Sequence, residues 1–185
     1  ARDAVEVVEN HHDAAQLDPA LLGKPPVDAW PTHHGDYSGR HYSTLNQINQ
    51  SNVKSLALAW SYRANTGEQG AIAGGVVPKA LPITLGAGAA TGGLLKATPL
   101  FVNGVLYLTS PDHAWAIDAK TGREIWHYYW RTSGCEYIGN RGVGMYGGWL
   151  YFGTPDGYLV SLDAATGRER WHQQVGEVKS NYYSS

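Results

Sequence analysis

Ala116-Ile117-Asp118-Ala119-Lys120-Thr121-Gly122-Arg123-Glu124-Ile125-Trp126 is answered further along the chain by Leu162-Asp163-Ala164-Ala165-Thr166-Gly167-Arg168-Glu169-Arg170-Trp171. Asp118 and Asp163, Thr121 and Thr166, Gly122 and Gly167, Glu124 and Glu169, and Trp126 and Trp171 all stand 45 residues apart. Several independent positions therefore agree on one period, and a period of about 40–50 residues marks propeller blades or solenoid units. Within the motif, glycine supplies a positive φ and the Thr and Asp side chains bond turn backbone. The tryptophan falls four residues later on an outer strand, where it packs over the next blade. The motif is structural cement, not a catalytic device.

Working outward, each copy closes a unit of four short strands. Strands are expected at 97–102, 105–109, 113–118 and 124–130, with the first turn at Asn103-Gly104, a strong two-residue hairpin signal. The second unit repeats the order at 142–146, 149–154, 158–163 and 168–175, with turns at Gly147-Gly148, Asp156-Gly157 and Ala165-Thr166-Gly167. Runs of 3.6-residue period are missing, so helical repeats are excluded and an all-β chain of antiparallel propeller blades is expected. Residues 56–62 alternate like a half-buried strand, and Trp60 with Tyr62 echoes Trp126 with Tyr128. They read as the last strand of a blade whose other strands are not upstream.

The domain reading follows. Residues 1–55 are a lead-in, with a short helix expected near Asp13 to Leu22, an irregular ordered loop over 30–52, and Asn49 or Ser51 capping a turn before Val53. Residues 56–65 are a closing strand and 66–95 a Gly/Ala-rich insertion loop. Residues 96–138 hold the first blade and following loop, 139–176 the second blade, and 177–185 the start of another.

The totals exclude several classes. A net charge of −2 with 16% charged residues leaves no electrostatic footprint for nucleic acid or an anionic membrane. The apolar window over 70–95 is Gly and Ala broken by Pro78 and Pro82, a poor membrane span. The one cysteine, Cys135, cannot form an internal disulfide and supplies no zinc-type spacing. A start at Ala1 with the sole methionine at Met145 fits a processed secreted protein or an excised piece. Gly86-Ala87-Gly88-Ala89-Ala90-Thr91-Gly92 has its third glycine one place late for a dinucleotide loop and no βαβ context. His11-His12 and His33-His34 lack helical metal-ligand spacing and companion carboxylates, and are read as solvated or capping histidines.

The paired motifs resemble the tryptophan docking motifs of eight-bladed quinoprotein dehydrogenases, which carry pyrroloquinoline quinone (PQQ). The resemblance extends to Gly35-Asp36-Tyr37-Ser38-Gly39-Arg40-His41-Tyr42-Ser43 with Leu45-Asn46-Gln47-Ile48-Asn49. It continues through Ala97-Thr98-Pro99-Leu100, Gly139-Asn140-Arg141-Gly142 and Thr154-Pro155-Asp156-Gly157. It implies that 56–62 closes the ring as outer strand of the last blade, and that the chain is the N-terminal third of such an enzyme. The remainder of the propeller or a complementing chain would then be its partner, and the chain alone would be inactive.

The same resemblance implies the site. Arg141 would lie beside the quinone, where a planar, permanently charged fork suits an acceptor bearing carboxylates and ortho carbonyls. Outside the resemblance, an arginine in a Gly-rich turn serves as a loop-fixing donor. Cys135 stands where alcohol-oxidising members have the first of two adjacent cysteines, but Glu136 follows, so the vicinal disulfide that covers the quinone cannot form. Lys96 stands where many relatives have a cofactor-touching glutamate, and could pair with a PQQ carboxylate. Thr154 is a weaker hydroxyl contact or a strand-end residue.

Catalytic residues and the calcium or lanthanide ligands are expected outside this chain. The implied reaction uses the metal as Lewis acid, a carboxylate as base for the substrate hydroxyl and the quinone as hydride acceptor. Alcohols are the first substrate class and sugars or polyols the next. Electrons would leave to a cytochrome or a quinone, in the periplasm or outside the cell. The alternative, a non-catalytic scaffold propeller that binds proteins, fits Lys96 and the missing second cysteine.

Overall fold

Two-residue alternation and tight glycine turns build two consecutive antiparallel sheets. The computed structural model describes residues 16–64, 97–110, 112–131, 141–154 and 156–176. The first sheet comprises β1 (Leu100–Val102), β2 (Val105–Ser110), β3 (His113–Asp118) and β4 (Glu124–Tyr129). The second comprises β5 (Gly144–Tyr146), β6 (Trp149–Gly153), β7 (Tyr158–Asp163) and β8 (Glu169–Gln174), and in each the spatial order is the chain order. The all-β expectation of four-stranded blades holds, and the only helical turns among the described residues are the 3₁₀ segments Pro19–Gly23 and Val53–Ser55.

Asn103 and Gly104 both take positive φ, 48° and 81°, as a type I′ hairpin requires. Leu100, Val102, Val105 and Tyr107 alternate inward, as do Leu150 and Phe152 of β6, and one apolar core joins both sheets. β3 is buried through Ile117, whereas β8 is exposed along its length.

The repeated motif shows why its residues are needed. The Asp118 Oδ1 accepts the Thr121 N–H and hydroxyl, both at 2.8 Å, and Asp163 does the same for Thr166 at the same distances. A β-bulge falls at one place in each copy, where Ala116 pairs with Trp126 but Ile117 with Glu124, and Ser161 pairs with Trp171 but Leu162 with Glu169. A bulge re-aims the neighbouring side chain. In the first blade it sends Trp126 over Gly167 of the second, where the indole Nε1–H donates to the Ala164 carbonyl at 2.9 Å.

The closing segment stands here without the blade it is expected to complete. Residues 56–62 join no ladder among the described residues, the Leu56 N–H bonding only back to the Val53 carbonyl at 3.4 Å, and Leu58 is 83% exposed. The segment nonetheless reproduces the side-chain half of the contact. Trp60 lies on Gly122 and donates Nε1–H to the Ala119 carbonyl at 3.0 Å, and Tyr62 donates its hydroxyl to Glu124. Without a neighbouring strand, alternation alone makes no ladder.

The lead-in is also more engaged than a surface segment. Leu17 is buried and bridges Gly147, while Trp30 and Phe101 exchange backbone hydrogen bonds of 2.7 and 2.9 Å along the free edge of β1. Its helical turn is shorter than expected, begins at Pro19 and is capped by the Asp18 carboxylate. The loop over 30–52 is irregular, as expected. The cap before Val53 is Asn52, whose side chain makes no cap bond, because Asn49 and Asn52 are occupied in the preceding turn.

Gly167 has φ +69° and a Cβ there would sit 2.6 Å from the Trp126 ring, whereas Gly104, at φ +81°, has nothing within 4 Å. Gly104→Ala should therefore cost only the left-handed penalty, about 1–2 kcal/mol. Gly167→Ala should cost a further ~1–3 kcal/mol, because the buried indole cannot yield. Denaturant midpoints of the full-length protein measure both, and equal costs would contradict the inter-sheet contact described here.

Candidate functional site

The two inner strands begin at the same end of the sheets. Gly144 pairs with Tyr151, and the register carried three residues on brings Arg141 level with Thr154. Leu100 pairs with Tyr107, and two residues on Thr98 is level with Thr109. Across the sheets the Thr98 N–H donates to the Arg141 carbonyl at 3.2 Å. Gly142 permits that approach: its φ is +140° and a Cβ would lie 3.2 Å from the Thr98 carbonyl oxygen.

Arg141 is consequently exposed at the mouth of a cleft of roughly 630 Å³. Thr98 and residues 142–145 floor it, and Leu22, Pro31, Thr32, His33 and Tyr37 wall it. The wall comes from the lead-in, held in place by the Trp30–Phe101 bridge. Its polar groups are a fixed cation, hydroxyls and an imidazole. The Thr32 Oγ1 is buried without a hydrogen-bond partner among the described residues. Such an orphaned hydroxyl, in a cleft that Arg141 also lines, suits an oxygen-rich anion, because a buried polar group left unpaired costs free energy.

Of the residues singled out in the sequence, Arg141 lines this cleft. Thr154 lies at the same end, buried, with its hydroxyl donating to Asp156 Oδ1 at 2.6 Å and accepting the Tyr158 N–H at 3.0 Å. Asp156 also accepts the indole N–H of Trp130 from the first blade at 2.8 Å, so this turn joins the sheets. Cys135 and Lys96 lie outside the described residues, as do the Gly/Ala loop over 70–95, Gly139 and Asn140.

Sequence reasoning missed the wall residues Thr32, His33 and Tyr37, since an irregular loop carries no periodicity to locate it. It also missed His113, although Ser110-Pro111-Asp112 stands 44 residues before Thr154-Pro155-Asp156 and signals an equivalent turn. His113 is 1% exposed, stacks on Trp115 and Tyr129, and places Nδ1 2.8 Å from His127 Nε2. Burial, then the neighbouring His127, lowers its pKa to about 4.

With this geometry in hand, the chain can be set beside known proteins. A family model described as "PQQ: Glucose/ethanol/alcohol dehydrogenase, beta-propeller domain" matches residues 30–147. The quinohemoprotein alcohol dehydrogenase of Comamonas testosteroni is 39% identical over 143 residues, covering 72% of this chain and 16% of that protein. Its crystal structure superposes with a TM-score of 0.67 at 33% identity, covering 91% of this chain and 23% of the other. The dehydrogenase subunit of an alcohol dehydrogenase (quinone) from Gluconacetobacter polyoxogenes is 36% identical over 143 residues, again 72% of this chain and 16% of the relative. A europium-containing methanol dehydrogenase superposes with a TM-score of 0.63 at 28% identity, covering 88% of this chain and 26% of that one. The chain thus spans between about a sixth and a quarter of the length of these relatives.

The buried His113 sets a pH dependence. Its folded-state pKa, about 4, lies below the ordinary 6.5, so the unfolded chain takes up the proton first. The stability it contributes is present above about pH 6.5 and is lost as pH falls towards 4. Urea midpoints of the full-length protein should fall across that window, and less steeply in His113→Gln; an unchanged slope would rule out His113 as the titrating group.

Proposed function

The chain belongs to the PQQ-dependent glucose/ethanol/alcohol dehydrogenase β-propeller family, and from that premise we propose that it forms two blades and one cofactor-facing wall of a PQQ- and metal-dependent dehydrogenase. Alcohols are the proposed substrates, with polyols or sugars as the next class. The rest of the ring, continuous with this chain or supplied by a complementing one, completes the active enzyme. The observation that carries the reading is Arg141, exposed on the cleft and set there by the Gly142–Thr98 contact.

The wall suits the cofactor. A guanidinium fork can hold a carboxylate or a pair of carbonyl oxygens by parallel hydrogen bonds, and it stays charged at any working pH. The Thr32 hydroxyl, buried and without a described partner, gains an acceptor or donor once an oxygen-rich ligand enters. Thr98 and Gly142 line the same cleft, and the absence of a side chain on Gly142 lets the two backbones come together there. When bound, PQQ supplies the hydride acceptor, and calcium or a lanthanide supplies the Lewis acid. We place the ligands of that metal outside the described residues. Lys96 and Cys135 remain proposed contacts, Lys96 as a partner for a quinone carboxylate.

The comparisons favour a dehydrogenase over a scaffold, since the three relatives named above are dehydrogenases. Electrons are proposed to pass to a cytochrome or a quinone, in keeping with the names quinohemoprotein and alcohol dehydrogenase (quinone) carried by two of them. A periplasmic or secreted location completes the proposal. Among the described residues no helix is long and apolar enough to cross a membrane.

Reconstitution of the full-length protein with PQQ and calcium or a lanthanide, followed by dye reduction with alcohols and sugars, tests the reading. Failure to retain PQQ would overturn it. Arg141→Ala should weaken PQQ retention by about 10–100-fold, the worth of a hydrogen bond to a charged group. Arg141→Lys should restore part of it, since a point charge replaces the fork.

A further inference from the structure

We propose that His33, His34 and His41 form a binding site for one divalent transition-metal ion of the zinc, copper or nickel type. The three rings each offer a nitrogen, and these atoms all lie within 4.8 Å of one another. His34 Nδ1 is 2.5 Å from His41 Nε2, and the ring centroids are 4.4 to 5.7 Å apart, edge to face.

Packing does not account for the convergence. All three histidines are exposed, so no burial of apolar surface draws them together, and ordering three side chains at a surface costs entropy. A shared proton between His34 and His41 engages one nitrogen of each and gives His33 no reason to lie beside them. A cation answers all three at once.

The loop backbone is shaped to bring the histidines together. Gly35 turns at φ +86° with its N–H on the Thr32 carbonyl at 3.0 Å, and a Cβ there would strike the Trp30 ring at 2.9 Å. The Asp36 carboxylate takes the Ser38 N–H at 2.8 Å, and the Arg40 Nε–H donates to the Ser38 hydroxyl at 2.9 Å. His41 then adopts φ +49°, a left-handed conformation uncommon outside glycine. Local strain of this kind persists where the surroundings over-determine it, and it marks functional loops.

The donor set selects the metal. Calcium and magnesium take oxygen ligands, while imidazole nitrogen suits zinc, copper and nickel. Zinc binds imidazole at about 2.0–2.1 Å, which places neighbouring nitrogens roughly 3.3 Å apart in a tetrahedron, within reach of small ring rotations from the present spread. A fourth position stays open to water or an anion. Since His33 also lines the Arg141 cleft, the ion would rivet the loop that walls it.

The inference stands apart from the quinone reading and is tested apart from it. Tag-free full-length protein, stripped with chelator and resupplied with saturating calcium, is titrated with copper(II) and separately with zinc. Calorimetry gives the stoichiometry and electron paramagnetic resonance the copper ligands. One tight equivalent with nitrogen coordination is expected, displaced by zinc and unaffected by calcium.

His34→Ala should weaken that equivalent by about 100-fold or more, exceeding the ~10–100-fold cost of losing a mere supporting residue. His41→Asn, which keeps a side chain tolerant of the left-handed backbone, should do the same. Both variants should leave the melting curve unchanged. No such equivalent in the wild type, or one that survives both substitutions, would overturn the proposal.

Discussion

A tryptophan laid flat on a glycine of the next blade, with its indole N–H given to that blade's turn, is the contact on which the two sheets depend. Trp126 over Gly167 and Trp60 over Gly122 are built alike, each with a ring atom 2.6 Å from where a Cβ would be. The ring needs the glycine because any side chain would occupy its place. The turn carbonyl needs the N–H because a carbonyl shut away from water and unpaired is costly. A second link runs beside the first, Tyr62 to Glu124 and Tyr128 to Glu169. At the equivalent place on β8, Trp171 is 38% exposed against 8% for Trp126, so that face is presented and not consumed.

Much of this could be read from the sequence because the motif is local and repeated. Asp118, Thr121 and Gly122 bond within one turn, so their spacing carries the geometry, and a second copy at the same period removes chance. Boundaries followed less well: the first strand of each blade is shorter than alternation suggests, beginning at Leu100 and Gly144, because the residues before them serve the inter-sheet bond of Thr98 with Arg141. Residues 56–62 show the limit from the other side. Alternation describes which side chains face inward, but a strand also requires a neighbour's backbone, and no described residue provides one.

Of the residues lining the candidate cleft, the sequence singles out Arg141, and only through family resemblance, since one arginine in a glycine turn has no spacing to give it away. Its companions Thr32, His33 and Tyr37 reach the cleft because the lead-in bridges β1 at Trp30, more than sixty residues from Phe101 in the chain. No local pattern encodes such a contact. The histidine trio was hidden for the same reason: adjacent His33 and His34 have poor ligand spacing on their own, and the third member arrives through a reversal of the loop that Gly35 and the left-handed His41 create.

The blade architecture also explains why cement and chemistry do not compete. β3 runs from His113, opposite Ser110, to Asp118, opposite Val105. The glycine turn that receives tryptophan therefore lies at one end of the sheet, and Thr98, Arg141 and the Thr154 turn lie at the other. The cleft residues Thr98, Arg141 and Gly142 are thus separate from those of the Trp–Gly contact. The exception is Trp130, which crosses to Asp156 at the site end and locks the turn beside Thr154. It ties the end of β4 to the turn between β6 and β7, while Thr98 and Arg141 are joined by their own backbone bond. The two sheets are therefore linked at both ends, by Trp126 on Gly167 at one and by Trp130 on Asp156 with Thr98 on Arg141 at the other, so a cleft assembled from two blades and a lead-in does not rest on the tryptophan–glycine contact alone.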